Sequence, residues 1–272
     1  MINDSFKINI PNKSCPSDWR LLFGNINTMG NYDNKHNDMK WDQTKYIIDE
    51  SLPDILGISE HNRVVSRMSR KNRPQEVFGK WQPRTVCRFA WMRNETNTTT
   101  YEVGGTGIIT SGKGSTHTIQ NGEDEHGMGR WNWISLQGKN NRITTIISIY
   151  RPGKNQATLD RQHAHTSKNR PSVAMSIGPQ ALWDKDLTKL VNSFKDKGYE
   201  VILGGDWNDN LNNDNGTVRE MMQSMGLTEA LITRYGKGLE TFVSGSHTID
   251  GIFITGGIRI RQGIHKPRIL PK

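Results

Sequence analysis

Tyr199-Glu200-Val201-Ile202-Leu203-Gly204-Gly205-Asp206-Trp207-Asn208 is the stretch from which the rest of the chain can be read. Val201, Ile202 and Leu203 are a continuous apolar run, the pattern of a strand covered on both faces, and the two glycines are expected to end it. Asp206 and Asn208 then stand at the strand's C-terminal end, where ligands bind in open α/β sheets. A period of two places them on one side and turns Trp207 away. An acid beside an amide offers a proton acceptor and a neutral donor, which is what hydrolysis of a phosphoester uses. The same residues also suit a plain turn, since Asp and Asn after glycine favour one.

Upstream, Trp183, Leu187, Leu190, Val191 and Phe194 form one apolar stripe that predicts a helix over 181–197. Its closing Gly198 leads into the Val201 strand, a parallel crossover. The same unit occurs near the start. Leu21-Leu22-Phe23-Gly24-Asn25-Ile26-Asn27 reads as a strand ending in amides, and a helix follows over 38–51, stopped by Pro53. Asp54-Ile55-Leu56-Gly57-Ile58-Ser59-Glu60 reads as a second buried strand, ending on a carboxylate.

Further strands are expected over 86–91, 108–110, 131–136 and 142–150, the last two joined as a hairpin across 138–141 and closed by Tyr150-Arg151-Pro152-Gly153. Gly104-Gly105-Thr106-Gly107 fits a bulge or hairpin, because no helix with a Lys-Ser/Thr pair follows it. The segments 63–84, 112–129 and 154–180 are polar or basic, with no element expected. His117 and His126 are expected to be solvated, and His163 and His165 lack a third metal ligand nearby. Thr217-Val218-Arg219-Glu220 has the form of a capping box ahead of a Val218, Met221, Met222, Met225 stripe. Strands are expected over 240–243 and 248–254, the second carrying Asp250 among apolar residues, where it needs a partner or a site.

The 272 residues suit one large α/β domain, 19–272, behind a polar tail at 1–18. A formal charge of +9 spread along the chain points to a polyanionic partner, nucleic acid ahead of a membrane surface. Cys15 and Cys87 are too few for a disulfide framework, which argues for a reducing compartment and makes the sequons at Asn94 and Asn97 chance matches. No apolar run approaches ~20 residues, and the first residues lack the form of a signal peptide, so an intracellular protein without a membrane span is expected.

Asn27-Thr28-Met29-Gly30, Pro53 to Glu60, Gly105-Thr106-Gly107-Ile108, Tyr150-Arg151-Pro152, Gly205-Asp206-Trp207-Asn208 and Ser246-His247-Thr248-Ile249-Asp250 come one after another in an order that resembles the endonuclease/exonuclease/phosphatase superfamily. Gly104 to Gly107, Gly129-Arg130-Trp131 and the basic segment after Tyr150 resemble most the endonuclease domains of non-LTR retroelements. The resemblance implies a four-layer α/β sandwich, two mixed sheets face to face with helices outside. It implies an enzyme dependent on Mg²⁺, with Mn²⁺ able to substitute, that nicks DNA to leave a 3′-hydroxyl. A nuclear setting and a reverse transcriptase in the same polyprotein go with that reading.

Carried onto this chain, the resemblance makes Glu60 the metal ligand and Asn27 the amide that positions the site. Asp206 orients or deprotonates water, Asn208 and Tyr150 donate to phosphoryl oxygens, and Asp250 pairs with a catalytic histidine. Thr106, Arg151 and Trp207 are expected at the substrate. The family's closing Ser-Asp-His is not found before Lys272, and His265 lacks the preceding Ser-Asp, so a fragment that stops short of the motif is expected. Two alternatives keep part of this reading: a phosphatase of inositol phosphates or another small phosphoester on the same fold, and a nucleic-acid-binding module without catalysis.

Overall fold

The computed structural model describes residues 18–29, 38–93, 99–153, 156–213, 216–236, 241 and 247–261; the side chains at 38–43, 156 and 157 fall outside that description. The expected tail at 1–18 apart from Asp18, the strand over 240–243 apart from Thr241, and Ser246 and His265 also lie outside the described residues.

β1 (Leu21–Asn25), α1 (Asp38–Ser51) and β2 (Ile55–Ser59) form the expected crossover unit, its strands parallel with Leu21 opposite Ile55 and Asn25 opposite Ser59. After α2 (Pro74–Trp81), β3 (Val86–Ala90) and β4 (Thr106–Thr110) complete a four-stranded sheet in the order β1-β2-β4-β3. The second sheet is built from the chain after β4. α3 (Lys113–Thr116) precedes β5 (Thr118–Glu123), β6 (Trp131–Gln137) and β7 (Ile143–Tyr150); then come α4 (Gln156–Asn169), α5 (Pro171–Ala174) and α6 (Pro179–Lys195). β8 (Glu200–Asp206), α7 (Thr217–Ser224), β9 (Leu227–Glu229), α8 (Ala230–Tyr235) and β10 (Asp250–Thr255) end the described chain, and the six strands run β5-β6-β7-β8-β10-β9.

Three apolar cores separate four layers. Ile48 of α1 and Val77 and Phe78 of α2 cover Leu56, Ile58 and Ile109 on the outside of the first sheet. Trp183, Leu187, Val191 and Phe194 of α6, with Val218 and Met222 of α7, cover Ile147, Ile149, Val201 and Leu203 on the outside of the second. Between the sheets lie Ile55, Ile108, Ile134, Leu136, Ile146 and Ile202. The fold is therefore a four-layer α/β sandwich of two mixed sheets, as expected from sequence.

The strand at Val201 does not stop on its glycines. β8 continues through Gly204 and Gly205 to Asp206, paired with β7 on one side and β10 on the other. The glycines make room within the strand, because a Cβ at Gly204 would lie 2.4 Å from the Phe23 ring of the facing sheet. α2, α3, β5, α4 and α5 fall in segments where the sequence predicts no element, being too polar or too short to show a clear apolar period. The capping box is not formed: Gly216 is the N-cap of α7, and the Val218 amide instead donates to Asp209 Oδ2 at 3.2 Å.

Candidate active site

The residues that face the gap between the sheets alternate along each strand, and five strands run from apolar to polar in the same direction. These rows are Leu21-Phe23-Asn25 on β1, Ile55-Gly57-Ser59 on β2, Ile146-Ser148-Tyr150 on β7, Ile202-Gly204-Asp206 on β8 and Ile254-Ile252-Asp250 on β10. The period of two that builds the central core thus delivers an amide, a hydroxyl, a phenol and two carboxylates to one end of it. β10 runs antiparallel to β8, so its first residue arrives where the others finish, with Asp250 opposite Asp206.

Asn25 joins the two sheets. Its Nδ2 donates to Glu60 Oε2 and to Asp206 Oδ2, each at 2.8 Å. Ser59 adds a second link, its hydroxyl donating to the Ile149 carbonyl at 2.7 Å while accepting from the Asp206 amide at 3.3 Å. Glu60 itself has left the strand, in left-handed backbone at φ 56°. Such a conformation is costly for a residue with a Cβ and persists where neighbours over-determine it. Here the Glu60 amide donates to the Gly105 carbonyl and its carbonyl accepts from Thr28, both at 2.8 Å.

The glycines at 104 and 105 belong to this support. Both have positive φ, and a Cβ at Gly105 would sit 2.4 Å from His61 Nε2. They cradle side chains and carry no phosphate-loop geometry. His61 is wholly buried, one ring nitrogen 2.9 Å from the Ala90 carbonyl, and burial pushes its pKa down to about 4, so the ring is neutral. Asn62 accepts from the Gly104 amide at 2.5 Å and donates to Thr28 Oγ1 at 2.8 Å, clamping the loop after β1 to the loop after β2.

Asp206 is almost fully buried. Desolvation, then the Asp250 carboxylate opposite it and Glu60, raise its pKa well above the usual carboxylate range, against the Asn208 amide and Asn25, which favour the ionised form. The Tyr150 phenol is also pushed up, by burial first and then by Glu60 and Asp206, and so remains an O–H donor at neutral pH. Asn208 lies beside Asp206, its amide donating to Asp206 Oδ1 at 2.9 Å and its Nδ2 to the Arg151 carbonyl at 2.7 Å.

Glu60, Tyr150, Asp206, Asn208 and Asp250 thus gather at one end of the sandwich, and four expected placements need correction. Asn27 is two residues beyond the strand, at φ 39°, and its amide donates to Asn25 Oδ1 at 2.8 Å; the amide between the carboxylates is Asn25. Trp207 is wholly buried in the outer core, 4.8 Å from the Phe253 ring, with Nε1 donating to the Gly251 carbonyl. Arg151 is held in a two-point pair with Asp184, at 3.0 and 3.2 Å. Thr106 is wholly buried, between Ser59 and Ala90 in the first sheet. Trp207 and Thr106 cannot touch a substrate without breaking the core, and Arg151 would have to leave Asp184.

Of the histidines, His117 stands edge-on to Trp19 with rings 5.5 Å apart, and His126 lies 3.7 Å from Asp186, so neither is simply solvated. His165 bonds the His126 carbonyl. Among the described residues no three His, Cys, Asp or Glu form a metal-binding group. The donors at the site are hard carboxylate oxygens on a partly exposed Glu60, flanked by two further acids whose repulsion a cation would relieve. That set fits Mg²⁺, which binds through one or two carboxylates and keeps several waters.

No family model and no curated protein matches the sequence. Solved structures do match in fold. An endonuclease/exonuclease/phosphatase family protein from Leptotrichia buccalis aligns with a TM-score of 0.57 at 15% identity, over 87% of each chain. An AP endonuclease from Archaeoglobus fulgidus aligns at 0.56 and 12% identity, over 88% of each. A 3′ phosphatase from Neisseria, solved with a product DNA hairpin, aligns at 0.55 and 13% identity, again over 88% of each. At these identities the likeness is one of fold.

Proposed function

We propose that the chain is a metal-dependent phosphodiester hydrolase that nicks DNA. The observation that carries this reading is the 2.8 Å contact of Asn25 Nδ2 with both Glu60 and Asp206, which holds two acids from two sheets at one point. Glu60 would hold Mg²⁺, and the ion would supply Lewis-acid stabilisation of charge on the phosphoryl oxygens. Asp206, a strong base for a carboxylate because it is buried beside other acids, takes a proton from the attacking water. Tyr150 and Asn208 donate to the non-bridging oxygens as negative charge grows on them. Water's oxygen bonds to phosphorus, the bond to the 3′ oxygen breaks, and that oxygen leaves as a 3′-hydroxyl, taking its proton from solvent.

A charge of +9 favours a long polyanion over a small phosphoester, since each phosphate contact releases counterions. The structural neighbours include an AP endonuclease and a DNA-bound 3′ phosphatase, which supports the substrate class. The finer reading, the nuclear endonuclease of a non-LTR retroelement associated with a reverse transcriptase, rests on the sequence pieces at 104–107, 129–131 and after Tyr150.

Supercoiled plasmid incubated with Mg²⁺ should relax, the nicked product should prime a DNA polymerase from its 3′-hydroxyl, and Asp206→Ala should slow nicking by about 10²–10⁴-fold. Nicking that survives both EDTA and Asp206→Ala would defeat the assignment. Release of phosphate from inositol phosphates with no action on DNA would move the function to a small substrate.

A further inference from the structure

Glu60 is followed in the chain by a histidine that takes no part in the proposed reaction. His61 is wholly buried, and both its ring nitrogens are engaged. Nδ1 accepts from the Arg63 amide at 3.1 Å, which leaves the ring proton on Nε2, and Nε2 donates to the Ala90 carbonyl at 2.9 Å. The ring stands edge-on to Phe89, with centroids 5.2 Å apart. A satisfied buried histidine is ordinarily a packing residue, and what sets this one apart is the backbone around it.

Glu60 and Asn62, on either side of His61, are both in left-handed backbone, at φ 56° and 53°. Asparagine tolerates that region, whereas glutamate has no local reason to enter it. The Glu60 peptide is held from outside, by Gly105 and Thr28, and the Asn62 amide donates to the Gly104 carbonyl at 2.8 Å. Those bonds need Gly104 and Gly105 to lie close against the corner, and the His61 ring sets how close they come. A Cβ at Gly105 would meet Nε2 at 2.4 Å and the Ala90 carbonyl oxygen at 2.9 Å. The His61 carbonyl also accepts from the Met29 amide at 2.8 Å, which ties in the loop after β1. His61 is thus a strap, fixed at one end to Ala90, the last residue of β3, and at the other to the backbone of Arg63.

We infer that His61 is a positioning residue of the metal site: by bridging Ala90 and Arg63 it holds Glu60 in its left-handed conformation and keeps the carboxylate beside Asn25 and Asp206. The inference rests on the reading of Glu60 as the Mg²⁺ ligand and adds what preorganises it. Without the strap the corner relaxes toward ordinary backbone in a share of the molecules, and apparent affinity for the ion falls with the competent fraction. At saturating ion the competent population is restored, so the maximal rate survives a loss of affinity. A residue that only filled the core would lower stability and leave the affinity of the folded molecules unchanged.

The test is Mn²⁺ binding to the full chain, read from the electron paramagnetic resonance signal of the free ion, in wild type, His61→Asn, His61→Gln and His61→Leu, with thermal unfolding to show that each is folded. Asparagine offers an acceptor near the place of Nδ1 and glutamine a donor near that of Nε2, so each keeps one end of the strap, while leucine keeps neither. Mn²⁺ affinity should fall about tenfold in His61→Asn and in His61→Gln, and up to about a hundredfold in His61→Leu, the range for residues that support a metal ligand. Plasmid nicking by the Asn and Gln variants should return to near the wild-type rate at saturating Mn²⁺. These two variants carry the test if His61→Leu does not fold. Wild-type Mn²⁺ affinity in folded His61→Asn and His61→Gln would overturn this inference and leave the nuclease reading standing, and so would a lowered maximal rate at unchanged affinity. Wild-type protein that binds no Mn²⁺ would remove Glu60 as a metal ligand and the role of the strap with it.

Discussion

Asn25 shows how little separates an amide that bridges two acids from a turn residue. Asn25 and Asn27 share the parity of the inward row on β1, and the sequence presents both after the same apolar run. The backbone turns into left-handed φ at Asn27 and Thr28, which ends the row at Asn25. Asparagine tolerates that conformation better than most residues, so Asn27 has a local reason to be asparagine and Asn25 has a long-range one. Asn25→Ala should therefore lower the nicking rate about a hundredfold, because Glu60 and Asp206 lose the group that spaces them. Asn27→Ala should lower it less than about tenfold. Rates for the two variants, with thermal unfolding to show that both are folded, decide between these positions; equal losses would return Asn27 to the site. Trp207 misleads in the same way, since its parity correctly turns it from Asp206 but nothing local says that it enters a core.

At the scale of elements, the turn between β5 and β6 is fastened to α6 by charge. Arg130, 1% exposed, donates Nε to Asp124 Oδ2 at 2.7 Å, Nη2 to Asp124 Oδ1 at 2.8 Å and Nη1 to Asp186 at 3.0 Å, while Arg170 closes on Asp186 at 2.7 Å. The Arg130 carbonyl accepts the Tyr150 amide, so this knot also anchors the end of β7. Burial alone would raise the Asp124 pKa, but hydrogen bonding and attraction from Arg130 bring it below the usual value. A carboxyl depressed in the fold binds more protons when unfolded. Its stabilisation is present above the unfolded value near ~3.9 and is lost as pH falls below it toward the folded value. Urea unfolding from pH 6 down to pH 3 should show a fall in stability below about pH 4 that is shallower in Asp124→Asn. Identical slopes would show that other acids carry the transition. From sequence Arg130 reads only as part of a Gly-Arg-Trp piece, because its partners lie on separate elements.

The whole molecule places its site by how closely two sheets approach. Phe23 of the first sheet fills space left by glycine on both sides, since a Cβ at Gly57 or at Gly204 would lie 2.4 Å from its ring. Asn25 comes two residues after Phe23 and Asp206 two after Gly204, so this contact sets the distance that Asn25 spans. Gly204→Ala should cost about 1–3 kcal/mol by overpacking and should slow nicking by moving the sheets apart, with Phe23→Leu recovering part of both. Activity unchanged in Gly204→Ala would mean that the site does not depend on this spacing.

Periodicity in the chain was enough to assign α1 and α6, the central strands of both sheets and the parallel crossovers, because each buries a long apolar face that repeats at 3.6 or 2 residues. It was also enough to place Glu60, Tyr150, Asp206 and Asp250 at strand ends. Which amide reaches the acids, which arginine is tied to a carboxylate and whether a tryptophan enters the core were set by contacts between residues far apart in sequence. Those depend on the packing distance and register of two sheets, and no local pattern encodes either.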